Sequence, residues 1–168
     1  MNMTKERTMK NLEAAFSGES QANRKYLAFA SKADEEGFHQ AAKLFRAAAE
    51  AETIHAHTHM RSMGMIKSTA ENLDSAIAGE TYEFETMYPG FIEDAKTEGA
   101  TQAERSFRLA NEAEKVHAEL YVKAKAALGA EKKLDYFLCT VCGHIAEGGA
   151  PESCPLCGAK KQAYRQVQ

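Results

Sequence analysis

The chain from Thr4 to about Leu128 has the composition and the polar and apolar mixture of a helical protein. Apolar Ala, Leu and Met are mixed with Glu and Lys, Pro89 is the one proline in this stretch, and the pattern breaks at glycines 37, 64 and 99. We therefore expect four helices, with the glycines in the turns between them. The predicted spans are residues 4–35, 38–63, 70–97 and 101–128.

Turn and cap residues indicate how these helices connect. Gly37 and Gly99 can each take a positive φ after a helix end, which predicts that helices one and two, and likewise three and four, form antiparallel hairpins. Thr69 is the expected N-cap of helix three. After Gly129, helix formers give way to Cys, Gly, Pro and aromatic residues. We therefore expect a helical domain over residues 1–130 and a separate module over residues 135–168.

One phrase, Glu-Ala-Glu-x-x-His-Ala, occurs twice in the helical part, and the two copies are 62 residues apart. Residues i and i+3 of a helix share a face, so each phrase directs a carboxylate and an imidazole to the same side. The pairs are Glu52 with His55 and Glu114 with His117. Two such helices facing each other can hold two metal ions.

Helices one and three supply the remaining carboxylates. A di-metal site in a four-helix bundle adds one Glu from each of these helices to the two Glu-x-x-His pairs. Glu19 lies on helix one, and Glu80 and Glu83 lie on helix three. Counted from the two glycine turns, all four helices place a carboxylate at nearly one height. A single Glu-x-x-His usually lies on a solvated helix face, but two copies at matched heights favour a metal site. Because the ligands are mostly carboxylates, the site favours iron or manganese.

The two hairpins repeat each other imperfectly. Gly18 and Gly79 are 61 residues apart, one fewer than the two His phrases. Tyr88 lies nine residues after Gly79, whereas Tyr26 lies eight after Gly18, so one hairpin contains an extra residue. This difference predicts a π-type bulge or irregular turn between Glu83 and Pro89. A simple kink at the proline is the alternative.

Other histidines and tyrosines have less distinct roles. His57 and His59 are expected at the surface, although His59 lies one turn beyond the ligand histidine, and His39 is expected to be structural. Tyr26 and Tyr88 fall near the level of the carboxylates. Each is either a core aromatic or a hydrogen-bond partner of a ligand carboxylate.

Four cysteines form two Cys-x-x-Cys-Gly knuckles separated by eleven residues. This pattern predicts a tetrathiolate metal site, and its ligands are Cys139, Cys142, Cys154 and Cys157. Zinc ribbons and iron tetrathiolates use the same ligands, so the spacing leaves both open. The aromatics Tyr136, Phe137 and Tyr164 and the Cys-Pro-Leu-Cys-Gly knuckle favour iron. A redox-active ion would also suit a chain whose di-metal site consumes electrons.

Composition and charge exclude several classes. The 168 residues, 44% of them hydrophobic, suffice for one ordinary domain and a small module without disulfides. A net charge of −3 gives no sign of the basic surface that a nucleic-acid-binding protein needs. No apolar run is long enough to span a membrane, and the N-terminus has no apolar leader segment. We therefore expect a cytoplasmic protein with reduced cysteines.

These motifs together resemble the rubrerythrin family over essentially the full length of the chain. The resemblance implies a mainly α fold, with a ferritin-like di-iron four-helix bundle followed by a small rubredoxin-like metal-bound β/loop domain. The motifs that carry it are Gly18-Glu19-Ser20, Glu52-x-x-His55, Gly79-Glu80-x-x-Glu83 leading into Met87-Tyr88-Pro89, Glu114-x-x-His117 and the two cysteine knuckles.

The resemblance also implies roles for individual residues. Glu52 and Glu114 would bridge the two irons, and His55 would replace Glu80 on one iron after reduction. Tyr26 and Tyr88 would hydrogen-bond the site. The implied ligands of the oxidised pair are Glu19, Glu52, Glu80, Glu83, Glu114 and His117. The implied activity is reduction of hydrogen peroxide to water, with electrons from NAD(P)H passing through a separate reductase or rubredoxin to the iron tetrathiolate.

The linker between the hairpins predicts a dimer. A ferritin-like site sets helices two and three parallel, which within one chain requires a connection about 39 Å long. Residues 64–69 span only about 20 Å when fully extended. We therefore expect a domain-swapped homodimer, in which each site draws Glu19, Glu52 and His55 from one subunit and the remaining ligands from the other.

Three functions are compatible with these residues. A peroxide reductase explains why an electron-accepting module is fused to the di-metal bundle. A ferroxidase or iron-storage protein would use the same carboxylates but has no evident need for the cysteines. A non-catalytic metal-binding protein with a structural zinc ribbon is the third.

Overall fold

The computed structural model describes residues 3–130 and 133–168. Residues 1 and 2, at the predicted leaderless N-terminus, and residues 131 and 132, in the predicted domain junction, lie outside the described residues. The elements are α1 (Met3–Glu35), α2 (His39–Ser62), α3 (Thr69–Tyr82), a π-helix (Glu83–Met87), α4 (Tyr88–Thr97), α5 (Thr101–Ala126), β1 (Tyr136–Cys139), β2 (Ile145–Glu147), a 3₁₀ turn (Lys161–Ala163) and β3 (Tyr164–Gln166). The predicted fold class, mainly α with a small rubredoxin-like C-terminal domain, is confirmed.

The start of α3 corrects one expectation. Ser68, not Thr69, is the N-cap, because its side-chain oxygen accepts a hydrogen bond from the backbone N–H of Glu71. The Glu71 carboxylate accepts in return from the Ser68 backbone N–H at 3.2 Å. Two backbone donors that the helix itself leaves unpaired are thus satisfied, which makes this capping box a stronger start signal than threonine alone.

The π-helix lies where the repeat comparison placed the extra residue. It joins α3 to α4, and Pro89 follows in the first turn of α4, where a missing N–H costs little. The prediction of a π-type bulge is therefore confirmed, and a proline kink is not needed. Beyond the π-helix the repeat is again regular, because the aromatic cluster Tyr26, Phe29 and Phe45 recurs as Tyr88, Phe91 and Phe107.

The chain divides into two compact units, which meet in sequence at Lys67 and Ser68. The first unit is the α1–α2 hairpin, which turns at Gly37 with φ of +81°. Where the structure describes burial in this unit, the buried apolar side chains are alanines, which lets the two helices approach closely. Asn23 fastens the hairpin, since its Nδ2 donates to the Ala49 carbonyl at 2.7 Å and to the Thr53 hydroxyl at 2.8 Å.

The second unit contains α3 to α5 and the strands. The strands form a three-stranded antiparallel sheet in the order β2-β1-β3. An ion pair of 2.9 Å between Lys123 on α5 and Glu147 on β2 connects helix to sheet. The domain limits 1–130 and 135–168 stay a prediction. Among the described residues, no helix is long and apolar enough to cross a membrane.

Candidate metal centres

The α1–α2 hairpin brings together three of the predicted ligands. Oxygen or nitrogen atoms of Glu19, Glu52 and His55 all lie within 4.8 Å of one another. The His55 Nδ1 is 2.9 Å from a carboxylate oxygen of Glu52, as expected for an i, i+3 pair on one helix face. The His55 side chain remains 55% exposed, so this cluster lies at the surface of its unit.

The second unit holds a matching cluster of Glu80, Glu114 and His117, again within 4.8 Å. The His117 Nδ1 lies 2.7 Å from Glu114 and 3.8 Å from Glu80. Its other nitrogen, Nε2, lies 2.9 Å from the backbone carbonyl oxygen of Gly143. A carbonyl only accepts, so Nε2 carries the hydrogen, and Nδ1 is the ring nitrogen that faces the carboxylates and could bind a metal ion together with them.

Electrostatics of the second cluster also favour a cation. Burial, together with the neighbouring carboxylate of Glu114, raises the pKa of Glu80 to about 7. Burial and the same carboxylate raise the pKa of Glu83. These groups resist ionisation because negative charges are crowded in a partly desolvated place. The side chains present therefore fit a multivalent metal ion, which such crowded carboxylates hold in many proteins.

Glu83 lies beside this cluster rather than in it. It belongs to the π-helix, and the three-residue cluster does not include it, although the Glu114 charge acts on it. The π-helix thus places a second carboxylate close to Glu80 on the same segment. The ligand role of Glu83 stays a prediction.

Two tyrosines lie near the second cluster. Burial and the carboxylates of Glu114, Glu83 and Glu80 raise the pKa of Tyr88, and its predicted hydrogen bond to a ligand stays a prediction. Tyr121 was missed from the sequence, although burial and the carboxylates of Glu80 and Glu114 raise its pKa as well. Its position four residues after His117 on α5 was the available signal.

Other predicted residues are placed as follows. Tyr26 packs against Phe29 and Phe45, and its predicted contact with the site stays a prediction. His57 is exposed and His59 is partly buried. His39 Nδ1 lies 3.0 Å from an Asp34 carboxylate oxygen in an exposed contact at the α1–α2 turn, and its structural role stays a prediction. None of these three histidines belongs to a metal-ligand cluster within the described ranges.

The four cysteines converge and form no disulfide. The sulfurs of Cys139 and Cys157 are 3.7 Å apart, and those of Cys142 and Cys154 are 3.6 Å apart. A tetrahedral ion with metal–sulfur bonds of about 2.3 Å requires sulfurs about 3.8 Å apart. The cluster therefore fits a single metal ion with little rearrangement.

A mainly helical fold with two carboxylate–histidine clusters and a small tetrathiolate module is the arrangement of a di-metal protein with an attached tetrathiolate domain. Comparison with known families agrees. Residues 10–125 match the rubrerythrin family, and residues 137–165 match the family described as rubrerythrin, rubredoxin-like domain. The chain belongs to the rubrerythrin family.

Similar proteins cover most of the chain. It is 40% identical to nigerythrin of Nitratidesulfovibrio vulgaris, over 94% of this chain and 85% of that protein. It is 36% identical to rubrerythrin of Porphyromonas gingivalis, over 94% of this chain and 88% of that protein. A solved structure, described as the fully reduced, all-ferrous state of nigerythrin, matches with a TM-score of 0.60 and 37% identity, over 95% of this chain and 86% of that chain.

Membership of this family settles the class of cofactor and the broad activity. The family carries a ferritin-like di-iron site and an iron-binding rubredoxin-like domain, so the predicted cofactors are confirmed. Its members are di-iron oxidoreductases that act in peroxide reduction or in the response to oxidative stress.

Proposed function

We propose that this protein reduces hydrogen peroxide to water at its di-iron centre, with electrons from NAD(P)H delivered to the cysteine-bound iron by a separate reductase or rubredoxin. The observation that carries the proposal is the contact between His117 and Gly143. Gly143 follows Cys142 directly, and its carbonyl oxygen is 2.9 Å from His117 Nε2. One hydrogen bond thus joins a cysteine knuckle to the carboxylate–histidine cluster. An iron-storage protein would not require this connection.

The ligands of the two irons are proposed as Glu19, Glu52, Glu80, Glu83, Glu114 and His117, and those of the single iron as the four cysteines. When bound, the di-iron pair supplies two electrons together, and the tetrathiolate iron passes electrons one at a time. Glu80 and His55 are proposed to exchange as ligands when the site is reduced. Tyr26 and Tyr88 are proposed to hydrogen-bond the ligand carboxylates and hold them in place.

The structure supports distinct tasks for the two nitrogens of His117. Its Nε2–H is occupied by the Gly143 carbonyl, so its Nδ1 is free to bind metal in a fixed orientation. Its ring also borders an apolar cavity of about 330 Å³, which Leu120, Tyr121 and Tyr136 help to line.

Peroxide-dependent oxidation of NADH, with a suitable reductase, tests the electron route. Cys142→Ser removes one sulfur from the tetrathiolate and is expected to lower turnover about tenfold or more. The matched control is Ser153→Ala, in the same module, which removes a hydroxyl that donates to the Gly158 carbonyl at 3.2 Å. Full turnover in the Cys142 variant would overturn the electron route and leave a ferroxidase as the better assignment.

We further propose that the active protein is a domain-swapped homodimer that works in the cytoplasm, where thiols stay reduced. Six residues, 63–68, connect α2 to α3. They are too few to run back along a helix of 24 residues, about 36 Å long. The α1–α2 hairpin of one copy would then meet α3 to α5 of the other.

Surface composition supports a partner subunit. Within the described part of the chain, the buried apolar side chains are alanines and two cysteines, whereas Leu44, Ile54 and Phe38 are each more than 60% exposed. Large exposed apolar side chains mark interaction surfaces.

Sedimentation of the iron-loaded protein tests this assembly. The expected mass is that of two chains, with two irons per chain besides the tetrathiolate iron. A monomer that retains the full iron content would contradict the proposal, because one chain would then complete its own site.

A further inference from the structure

An apolar cavity of about 330 Å³ lies between α5 and the small sheet. Its helical wall consists of residues at positions i, i+3, i+4 and i+7 of α5, which share one face of the helix: His117, Leu120, Tyr121 and Ala124. Reduction of hydrogen peroxide gives this cavity no task, because that substrate is small and polar.

The opposite wall of the cavity comes from the sheet and from α3. Tyr136 of β1, Ile145 of β2 and Val167, which follows β3, face the helix, and Leu73 of α3 completes the lining. The Val167 N–H donates to the Tyr136 carbonyl at 2.9 Å. The backbone on this side is therefore held in place by the hydrogen bonds of the sheet.

The cavity extends from the surface to the second carboxylate–histidine cluster. At its mouth, Tyr121, Tyr136 and Val167 are each more than a third exposed. At its other end lies His117, whose side chain is only 17% exposed and whose Nδ1 is 2.7 Å from Glu114. A molecule that entered from solvent would thus come against a proposed ligand of the di-iron pair.

The lining selects the kind of molecule that the cavity can take. Its walls are aliphatic and aromatic, and among the lining residues that the structure describes none is a lysine, arginine, aspartate or glutamate. An anionic ligand would therefore lose its hydration without gaining an ion pair. An apolar cavity of about 150 Å³ in another protein binds benzene. A cavity of more than twice that volume has room for an aromatic ring with a short alkyl group.

We propose that this cavity binds the organic group of a hydroperoxide and brings its O–O bond to the cluster of Glu80, Glu114 and His117, so that the protein also reduces organic hydroperoxides. The O–O bond breaks and two O–H bonds form, so the organic oxygen leaves as an alcohol and the other oxygen leaves as water. The two protons come from solvent and the two electrons from the reduced iron pair. Burial of the organic group supplies binding energy that hydrogen peroxide lacks. This activity rests on the peroxide reduction proposed above, which supplies the electrons.

Calorimetric titration of the full-length, iron-loaded, oxidised protein with 2-phenyl-2-propanol tests the binding step. This alcohol is the product expected from cumene hydroperoxide, and it has no O–O bond to be reduced. Wild type should bind one molecule per chain, and Ala124→Leu, which fills part of the cavity, should weaken binding about tenfold. The matched control is Ala126→Leu, at an exposed position of α5 outside the lining, which should bind as wild type does. No binding by wild type, or equal binding by the two variants, would overturn the proposal.

Val167→Phe gives an independent result if Ala124→Leu fails to fold. It narrows the cavity from the side of the sheet, at a position that is 45% exposed and can accommodate an added ring. Binding of the alcohol should again weaken. Undiminished binding by this variant would contradict the cavity as the binding site.

Comparison of two peroxides, with the same reductase, tests the reaction itself. In Ala124→Leu, the ratio of kcat/KM for cumene hydroperoxide to kcat/KM for hydrogen peroxide should fall about tenfold, and in Ala126→Leu it should keep the wild-type value. An unchanged ratio in Ala124→Leu would overturn the proposal even if the alcohol binds. If wild type reduces neither peroxide, the proposed function fails, and the calorimetry alone then decides whether the cavity is a binding site.

Discussion

The imidazole of His117 binds the backbone carbonyl of Gly143 through Nε2, at 2.9 Å, while its Nδ1 faces Glu114. The residue therefore belongs to two sites at once. This arrangement places a carboxylate–histidine cluster and a cysteine knuckle one hydrogen bond apart.

Replacing His117 tests its role as a ligand. His117→Gln is expected to weaken iron binding at the di-iron site about 10- to 100-fold or more, since changes to metal-site residues commonly have this effect. The red colour of the tetrathiolate should remain, because all four cysteines are intact. Metal analysis after dialysis against a chelator measures this. The matched control is His57→Gln on an exposed position of α2, and equal iron loss in both variants would exclude the assignment.

Variants of the Lys123–Glu147 ion pair test whether the contact between α5 and the sheet matters for electron transfer. Lys123→Glu replaces an attraction of 2.9 Å by a repulsion beside the His117 contact. We expect slower oxidation of the reduced tetrathiolate by peroxide in stopped-flow measurements. Adding Glu147→Lys restores opposite charges and should recover the rate. If the double variant is no faster than the single one, the ion pair does not position the module.

Two features at Glu83 can be tested separately: the carboxylate that it supplies and the π-helix to which it belongs. Deleting Glu83 gives this hairpin the spacing of the α1–α2 hairpin, so we expect a continuous α-helix that keeps Glu80 and Tyr88 in place. Thermal stability should be equal or higher, whereas peroxide turnover should fall, because one carboxylate is lost. Glu83→Gln, which keeps the chain length, is the control for the missing charge. Full turnover in the deletion variant would show that the π-helix is dispensable.

Stability at low pH depends on the α1–α2 turn. Hydrogen bonds from Arg46, and then from His39, lower the pKa of Asp34 below its usual 3.8. The stabilisation is therefore present above about pH 3.8 and is lost as the pH falls through the lower, folded-state value. The effect is small because the group is exposed. In thermal melts at pH 6, the Asp34→Asn variant should have a lower melting temperature than wild type. At the acid end of the pH range the two melting temperatures should be equal. A difference that stays constant at all pH values would contradict this.

Much of the helical part could be predicted from sequence because its signals are local. Glycines marked the turns, and a one-residue mismatch between Gly18–Gly79 and the two His phrases located the π-helix. The N-cap was misplaced by one residue, since the Ser68–Glu71 box was not weighed. The Asn23 bridge was missed because it joins residues far apart in sequence.

The contacts of the small module could not be predicted from spacing. His117 meets Gly143 and His144 meets Tyr164 across 26 and 20 residues, and both contacts depend on how the sheet packs against itself and on α5. Cysteine spacing identifies ligands, since the knuckles are local, but it contains no information about which side chains surround the sulfurs.

The most direct test of a di-iron centre shared between two copies is complementation. Glu52→Gln damages the α1–α2 contribution and Glu114→Gln damages that of α5, so each variant alone should be inactive. Random pairing of the two variant chains makes about half of all dimers mixed, and each mixed dimer has one intact site of two, so peroxide turnover should recover to about a quarter of wild type. Turnover that stays at the level of the separate variants would show that each chain completes its own site.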